Sequence, residues 1–209
     1  MKLIIGSKHL SSWSLRGWLA CKQSGLPFAE VLVPLDDDDW PRRRLADDLA
    51  PSAGMVPVLW DGEMVVWDSL AILEYLGDKV GRDRFWPRAQ DARGLARAMV
   101  AEMHSSFRAL RQQCPMDLHM LAQTREIDAE ATADVLRILT LWAEARARFG
   151  SGGPYLFGSF SAADIAFAPV VTRFRSYGVT VPGFARTYMD AVWEHPWMQE
   201  WAIAAKAES

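Results

Sequence analysis

A proline stands where a β-strand should begin. Residues 54–69 read Gly-Met-Val-Pro-Val-Leu-Trp-Asp-Gly-Glu-Met-Val-Val-Trp-Asp-Ser, and this stretch constrains the fold more than any other. Val56 to Trp60 is a β-branched and apolar run, and Met64 to Trp67 is a second. Between them, Asp61-Gly62 is a turn dipeptide that takes positive φ at low steric cost, so the pattern is a β-hairpin. Asp68-Ser69 then supplies N-cap chemistry for a helix through Leu70-Ala71-Ile72-Leu73. Pro57 cannot donate to a ladder and belongs at a strand's start or edge. A trans bond gives a plain hairpin. A cis Val56–Pro57 bond, at a cost of about 0.5–1 kcal/mol, would turn the polar groups of Val56 outward.

Upstream, strand and helix alternate. Lys2 to Gly6 reads as a short buried strand. From Ser14 a helix is expected, with Leu15, Trp18, Leu19 and Lys22 on one stripe and a stop at Ser24-Gly25. Phe28 to Val33 reads as a second strand, and strand–helix–strand order implies a right-handed crossover and a parallel pair. The acids Asp36 to Asp39 precede Arg42-Arg43-Arg44, which suits the ends of a short helix over residues 42–49. The alternative is an anion-binding basic cluster. The helix after the hairpin is expected from Asp68 to Lys79.

Past a connector containing Phe85-Trp86-Pro87, strand signals vanish. Leu95, Met99, Met103, Phe107 and Leu110 recur at helical spacing over residues 90–113. Ala131, Val135, Ile138, Trp142 and Ala145 do so over residues 125–149, a further helix starts at Ser161, and shorter ones cover 183–193 and 196–206. The expected division is an α/β domain over residues 1–80, a linker over 81–89 and an all-helical domain over 90–209.

Charge and cysteine usage narrow the function class. A net charge of −3 points to neither nucleic acid nor an anionic membrane. No run approaches the ~20 apolar residues of a membrane span, and the three apolar residues after Met1-Lys2 are too few for a signal peptide. Cys21 and Cys114 form no CxxC, so a reduced, cytoplasmic setting is the expectation. His9, His119 and His195 show no metal-ligand spacing.

Two helix starts carry the candidate chemistry. In Ser11-Ser12-Trp13-Ser14-Leu15-Arg16 the serines either cap the helix or place a hydroxyl beside unsatisfied N–H groups, where a thiolate is stabilised. Asp68-Ser69 caps the later helix and also offers a carboxylate site beside an ammonium site, the two ends of an amino acid.

Taken together, these motifs resemble those of the cytosolic glutathione transferases. Met55-Val56-Pro57-Val58-Leu59 followed by Asp68-Ser69 is similar to that family's glutathione-site signature. Ser11 to Arg16 resembles the serine motif of its zeta class and of related bacterial members, and Ser159-Phe160-Ser161-Ala162-Ala163-Asp164 resembles its helical-domain capping motif. The last has its own physics as a capping box, with Ser161 the N-cap and Asp164 its partner.

The resemblance covers nearly the full chain. It implies a thioredoxin-like α/β N-terminal domain, an all-α C-terminal domain, glutathione as co-substrate, no metal, and a homodimer. It implies that Pro57 is cis, that Val56 pairs with the cysteinyl backbone of glutathione, and that Ser69 and Asp68 hold its γ-glutamyl end. Ser11 takes the place of the thiol-activating catalytic serine, with Ser12 a neighbouring contact. Trp13, Met103, His104 and Phe107 fall on the side of a small hydrophobic electrophile. For Met103 and Phe107 the alternative is core packing, and for His104 a structural role. The zeta pattern has cysteine where this chain has Trp13, which bears against that class's isomerase activity and against disulfide-reducing chemistry. Alternatives to transfer are glutathione-dependent isomerisation or peroxide reduction, or a non-enzymatic scaffold on the same fold.

Overall fold

The computed structural model describes residues 1–35, 37–120 and 125–208. Four strands, β1 (Lys2–Gly6), β2 (Ala29–Val33), β3 (Val58–Asp61) and β4 (Met64–Trp67), form one mixed sheet in the order β2-β1-β3-β4. β1 and β2 are parallel and joined by helix α1 (Ser12–Ser24), while β3 runs antiparallel to β1 and β4. Gly62, at φ 62°, turns the hairpin so that Asp61 faces Met64. Helix α3 (Ser69–Val80) follows at once, capped by Asp68. The Val56–Pro57 bond is cis.

The helix expected over residues 42–49 is a single turn, α2 (Trp40–Arg43). Its charges pair locally: Arg42 bonds Asp39 at 2.7 Å and Arg43 bonds Asp48 at 2.6 Å. The N–H groups of Leu45 and Ala46 reach back only three residues, to Arg42 and Arg43, so tight turns replace the helix. Asp36, the first of the four acids, lies outside the described residues.

The second half is helical: α4 (Gln90–Ser105), α5 (Arg108–Gln113), α6 (Ala129–Phe149), α7 (Ala162–Ser176), α8 (Gly183–Glu194) and α9 (Pro196–Lys206). The helix expected over 90–113 breaks at Phe107, whose φ is 64°. That turn sends the phenyl ring into the core, and Asp134 on α6 accepts the Leu110 N–H at 3.0 Å to restart the helix. Arg111 fixes the corner by donating to the carbonyls of Ser106 and Met103.

One apolar core joins the halves. Leu3 and Ile5 of the sheet, Leu15 and Leu19 of α1, and Ile72 and Leu76 of α3 are continuous with Trp142, Phe167 and Phe174. A smaller cluster of Ile4, Val33, Leu49 and Val58 lies apart from it. Helix α1 packs against α3 and α7 at once, and α7 is buried along nearly its whole length.

The capping box at the start of α7 is formed, with both reciprocal bonds present. Asp164 Oδ2 accepts the Ser161 N–H at 2.8 Å, and Oδ1 accepts the Leu156 N–H at 3.1 Å. Burial pushes the carboxyl up to about 6, against hydrogen bonds from Leu156 and Ser161 that pull it down. The folded chain therefore holds a proton here that the unfolded chain has lost, and this group's contribution to stability falls as pH rises from about 4 to about 6. Replacing Asp164 with Ala orphans buried donors at roughly 1–3 kcal/mol each. We expect a loss of about 3 kcal/mol, lowering the melting temperature by about 6–12 °C in a chain of this size, with a larger deficit at pH 5 than at pH 7. Thermal melts of the Asp164→Ala variant at both pH values check this.

Candidate active site

Ser11 is the N-cap of α1: its Oγ accepts the Ser14 N–H at 3.2 Å and lies 2.8 Å from Ser14 Oγ. Ser14 Oγ in turn accepts the Gly6 N–H at 2.9 Å, which ties the helix start to the end of β1. Ser12 is the first helical residue, and its Oγ accepts from Arg173 at 3.3 Å.

Opposite lies the loop into β3 and the start of α3. Asp68 accepts the Leu70 N–H at 2.7 Å and is held at φ 71°, a conformation rare for a residue with a side chain. Ser69, buried, is the first residue of α3. Pro57 packs directly on α1. A Cβ built at Gly17 would sit 2.8 Å from Pro57 Cγ, so the helix reaches the proline because residue 17 has no side chain.

These two edges meet at a cavity of about 260 Å³ lined by Trp13, Val56, Pro57, Asp68, Ser69 and His104, with Ser52, Met55 and Trp67 completing the wall. His104 comes from α4 and places Nε2 3.2 Å from Asp68 Oδ2, while its ring meets the Trp13 indole edge-on at 5.1 Å. It thereby links the helical half to the α3 start. The structure places the other sequence-derived candidates elsewhere. Ser11 and Ser12 are buried at the start of α1 and do not line this cavity, and Met103 and Phe107 lie in the hydrophobic core. The Cys21 thiol, buried in α1, is pushed up to about 12 by desolvation, which keeps it inert.

Three arginines surround this site, and sequence reading passed over their chemistry. The guanidinium carbons of Arg16 and Arg111 lie 4.7 and 4.9 Å from the Trp13 ring centre. Arg16 Nε donates to Ala166 O on α7 at 2.8 Å, but its two terminal nitrogens are buried with no hydrogen-bond partner among the described residues. Burial first, then repulsion from Arg111 and Arg173, holds its pKa well below the ordinary arginine value, with Asp68 acting the other way. Burial, then Arg111, brings Arg173 down to about 10. The available sequence signal was a cation set in an apolar run: Arg16 between Leu15 and Leu19, and Arg173 between Val170-Val171 and Phe174.

Family models match both halves of the chain: the glutathione S-transferase N-terminal domain over residues 10–79 and the C-terminal domain over residues 123–204. The chain belongs to the glutathione S-transferase family. It is 26% identical over 160 residues to glutathione S-transferase L2, chloroplastic, of Arabidopsis thaliana, a match spanning 77% of this chain and about half (49%) of that protein. A shorter segment of 54 residues is 41% identical to dichloromethane dehalogenase of Methylorubrum extorquens, over 26% of this chain and 18% of that one. Among solved structures, a bacterial zeta-class maleyl pyruvate isomerase superposes with a TM-score of 0.73 at 23% identity, over 100% of both chains. A glutathione transferase homologue from Burkholderia with bound glutathione also gives 0.73, at 21% identity, over 99% of this chain and 98% of that one. At these identities the structural likeness is one of fold. The thioredoxin-like N-terminal domain and helical C-terminal domain are those of the glutathione S-transferase family.

Exchanging a helical glycine for alanine ordinarily stabilises by about 1 kcal/mol. At Gly17 the new methyl meets the rigid Pro57 ring, so Gly17→Ala should lower the melting temperature. A raised melting temperature would show that α1 and Pro57 are not in this contact.

Proposed function

We propose that this chain is a glutathione transferase, with residues 1–80 as the glutathione-binding unit, 81–89 as linker and 90–209 as the helical unit that shapes the electrophile's pocket. The observation that carries this reading is the shared cavity, where Val56, Pro57, Asp68 and Ser69 face Trp13 and His104 beside the start of α1. Val56 offers its N–H and C=O to the cysteinyl backbone. Ser69 and the unsatisfied N–H groups at the start of α3 take the γ-glutamyl carboxylate, and Asp68 takes the ammonium. The apolar wall of Trp13, Met55 and Trp67 suits a small hydrophobic electrophile.

Ser11 activates the thiol. A hydroxyl hydrogen rotates freely between partners. When Ser14 donates to Ser11, the Ser11 proton is free for the glutathione sulfur, and Ser14 Oγ still accepts the Gly6 N–H. A hydrogen bond to a charged group contributes roughly 1.5–3 kcal/mol, which at about 1.36 kcal/mol per pKa unit lowers a thiol by roughly one to two units. The positive potential of the α1 N-terminus and of Arg16 and Arg173 acts in the same direction. The thiol proton passes to solvent, and the thiolate forms a C–S bond at the electrophilic carbon as the leaving group, chloride in an aryl chloride, departs with the bonding electrons. Ultraviolet titration of bound glutathione measures this directly. The thiol pKa should rise by about one to two units in Ser11→Ala and by less in Ser12→Ala. Equal values in wild type and Ser11→Ala would remove Ser11 from the role.

The arginines favour a second reading, glutathione-dependent isomerisation of a carboxylate-bearing substrate, the kind of activity named for the zeta-class neighbour. Parallel assays with a neutral aryl chloride and a carboxylate-bearing cis-enone separate the two. Transfer predicts turnover of the aryl chloride. Isomerisation predicts turnover of the enone alone, reduced at least tenfold in Arg111→Ala. Retention on immobilised glutathione with turnover of neither would leave a scaffold protein. We further propose a homodimer, supported by exposed Met64 on the sheet's outer strand β4. A monomer mass in solution at micromolar concentration would count against it.

A further inference from the structure

The cleft cavity is lined by one carboxylate, Asp68, one histidine, His104, and otherwise by neutral groups, Trp13, Met55 and Trp67 among them. Three arginines stand close by, and none of them lines it. What meets both the cavity and these cations is the indole of Trp13. The residue is half-buried and forms part of the cavity wall, while the guanidinium carbons of Arg16 and Arg111 lie 4.7 and 4.9 Å from its ring centre.

The other partners of the arginines are neutral. Arg16 donates to the Ala166 carbonyl, Arg111 to the carbonyls of Ser106 and Met103, and Arg173 to the Cys114 carbonyl and to Ser12 Oγ. Arg16 also borders a void of about 10 Å³, room for no more than one water, whose lining includes Ser69 and His104. Its two terminal nitrogens have no hydrogen-bond partner among the described residues. A ring face stabilises a guanidinium through its π electrons, but a carboxylate does so more strongly, through paired charge-assisted hydrogen bonds. The cations therefore keep a capacity for an anion that the ring only partly answers, and the ring lies between that capacity and the cavity. On the cavity side the one charge fixed in the wall is Asp68, which repels an anion.

Resting on the transferase reading above, we propose that Trp13 is a specificity-determining residue that screens the electrophile from the three arginines. With the indole in place the cleft takes a neutral electrophile and offers a carboxylate-bearing one no ionic partner. Without it, a carboxylate reaches the Arg111 guanidinium and the unpaired nitrogens of Arg16.

Calorimetric titration with two product-like conjugates, S-(4-carboxybenzyl)glutathione and its neutral counterpart S-(4-carbamoylbenzyl)glutathione, reads this preference without turnover. Because the two conjugates match in size, their affinity ratio cancels any general loosening of the pocket. Wild type should bind the neutral conjugate more tightly. In Trp13→Ala the ratio should move about tenfold toward the carboxylate, as a charge-assisted pair replaces a ring contact, and Trp13→Ala/Arg111→Gln should lose that gain. Trp13→Phe keeps an aromatic face toward the arginines and should retain the wild-type ratio. Should Trp13→Ala fail to fold, Trp13→Leu, smaller but still apolar, should shift the ratio in the same direction. An unchanged ratio in the Trp13 variants, a gain that survives in full without Arg111, or a wild-type preference for the carboxylate would overturn the screen while glutathione binding stands. Failure of wild type to bind either conjugate would remove the glutathione site itself, and the screen with it.

Discussion

Helix α1 can lie against Pro57 because Gly17 leaves room for the proline ring. Much else depends on that contact. It sets the start of α1, with Ser11, Ser12 and Trp13, opposite the edge that runs from Val56 to Ser69. The same helix reaches α3 on one side and α7 on the other, and Arg16 donates across to the Ala166 carbonyl. One short helix thus ties the sheet, the proline loop and the helical half into a single cleft. A side chain at residue 17 would meet the Pro57 ring and part these surfaces.

The electrostatics of the cleft follow from what α1 and its neighbours bury. Arg16, Arg111 and Arg173 come from three different helices and surround Trp13 and Ser12 with carbonyl oxygens, a hydroxyl and a ring for partners. Buried cations without matched anions are costly, and the depressed pKa values of all three record that cost. An anion in the cleft, whether a thiolate or a carboxylate, lowers it. His104 and Asp68 add a cross-domain pair at the mouth of the same cavity.

Local chemistry was readable from the sequence, and long-range assembly was not. The hairpin around Asp61-Gly62, the Asp68 cap and the Ser161–Asp164 box are each written within a few residues, and each formed where its own geometry demanded. The fold class followed from the change between strand and helix periodicity. The helix over 90–113 was misread because Phe107 is apolar and in phase, and nothing local marks its left-handed turn; Arg111 and Asp134 impose it from outside. The short helix after residue 40 was overextended because charge order was taken for a dipole pattern, when Arg43 and Asp48 simply pair. The arginine cluster escaped because its members are far apart in sequence, and only folding brings them to Trp13.

The central claim is that the proline loop and the start of α3 hold glutathione while Ser11 meets its sulfur. The crystal structure of the glutathione complex tests it most directly. The account predicts the cysteinyl backbone paired with Val56, the γ-glutamyl carboxylate at Ser69, and the sulfur within hydrogen-bond distance of Ser11 Oγ. Glutathione bound away from this cleft, or with its sulfur directed away from the start of α1, would contradict it.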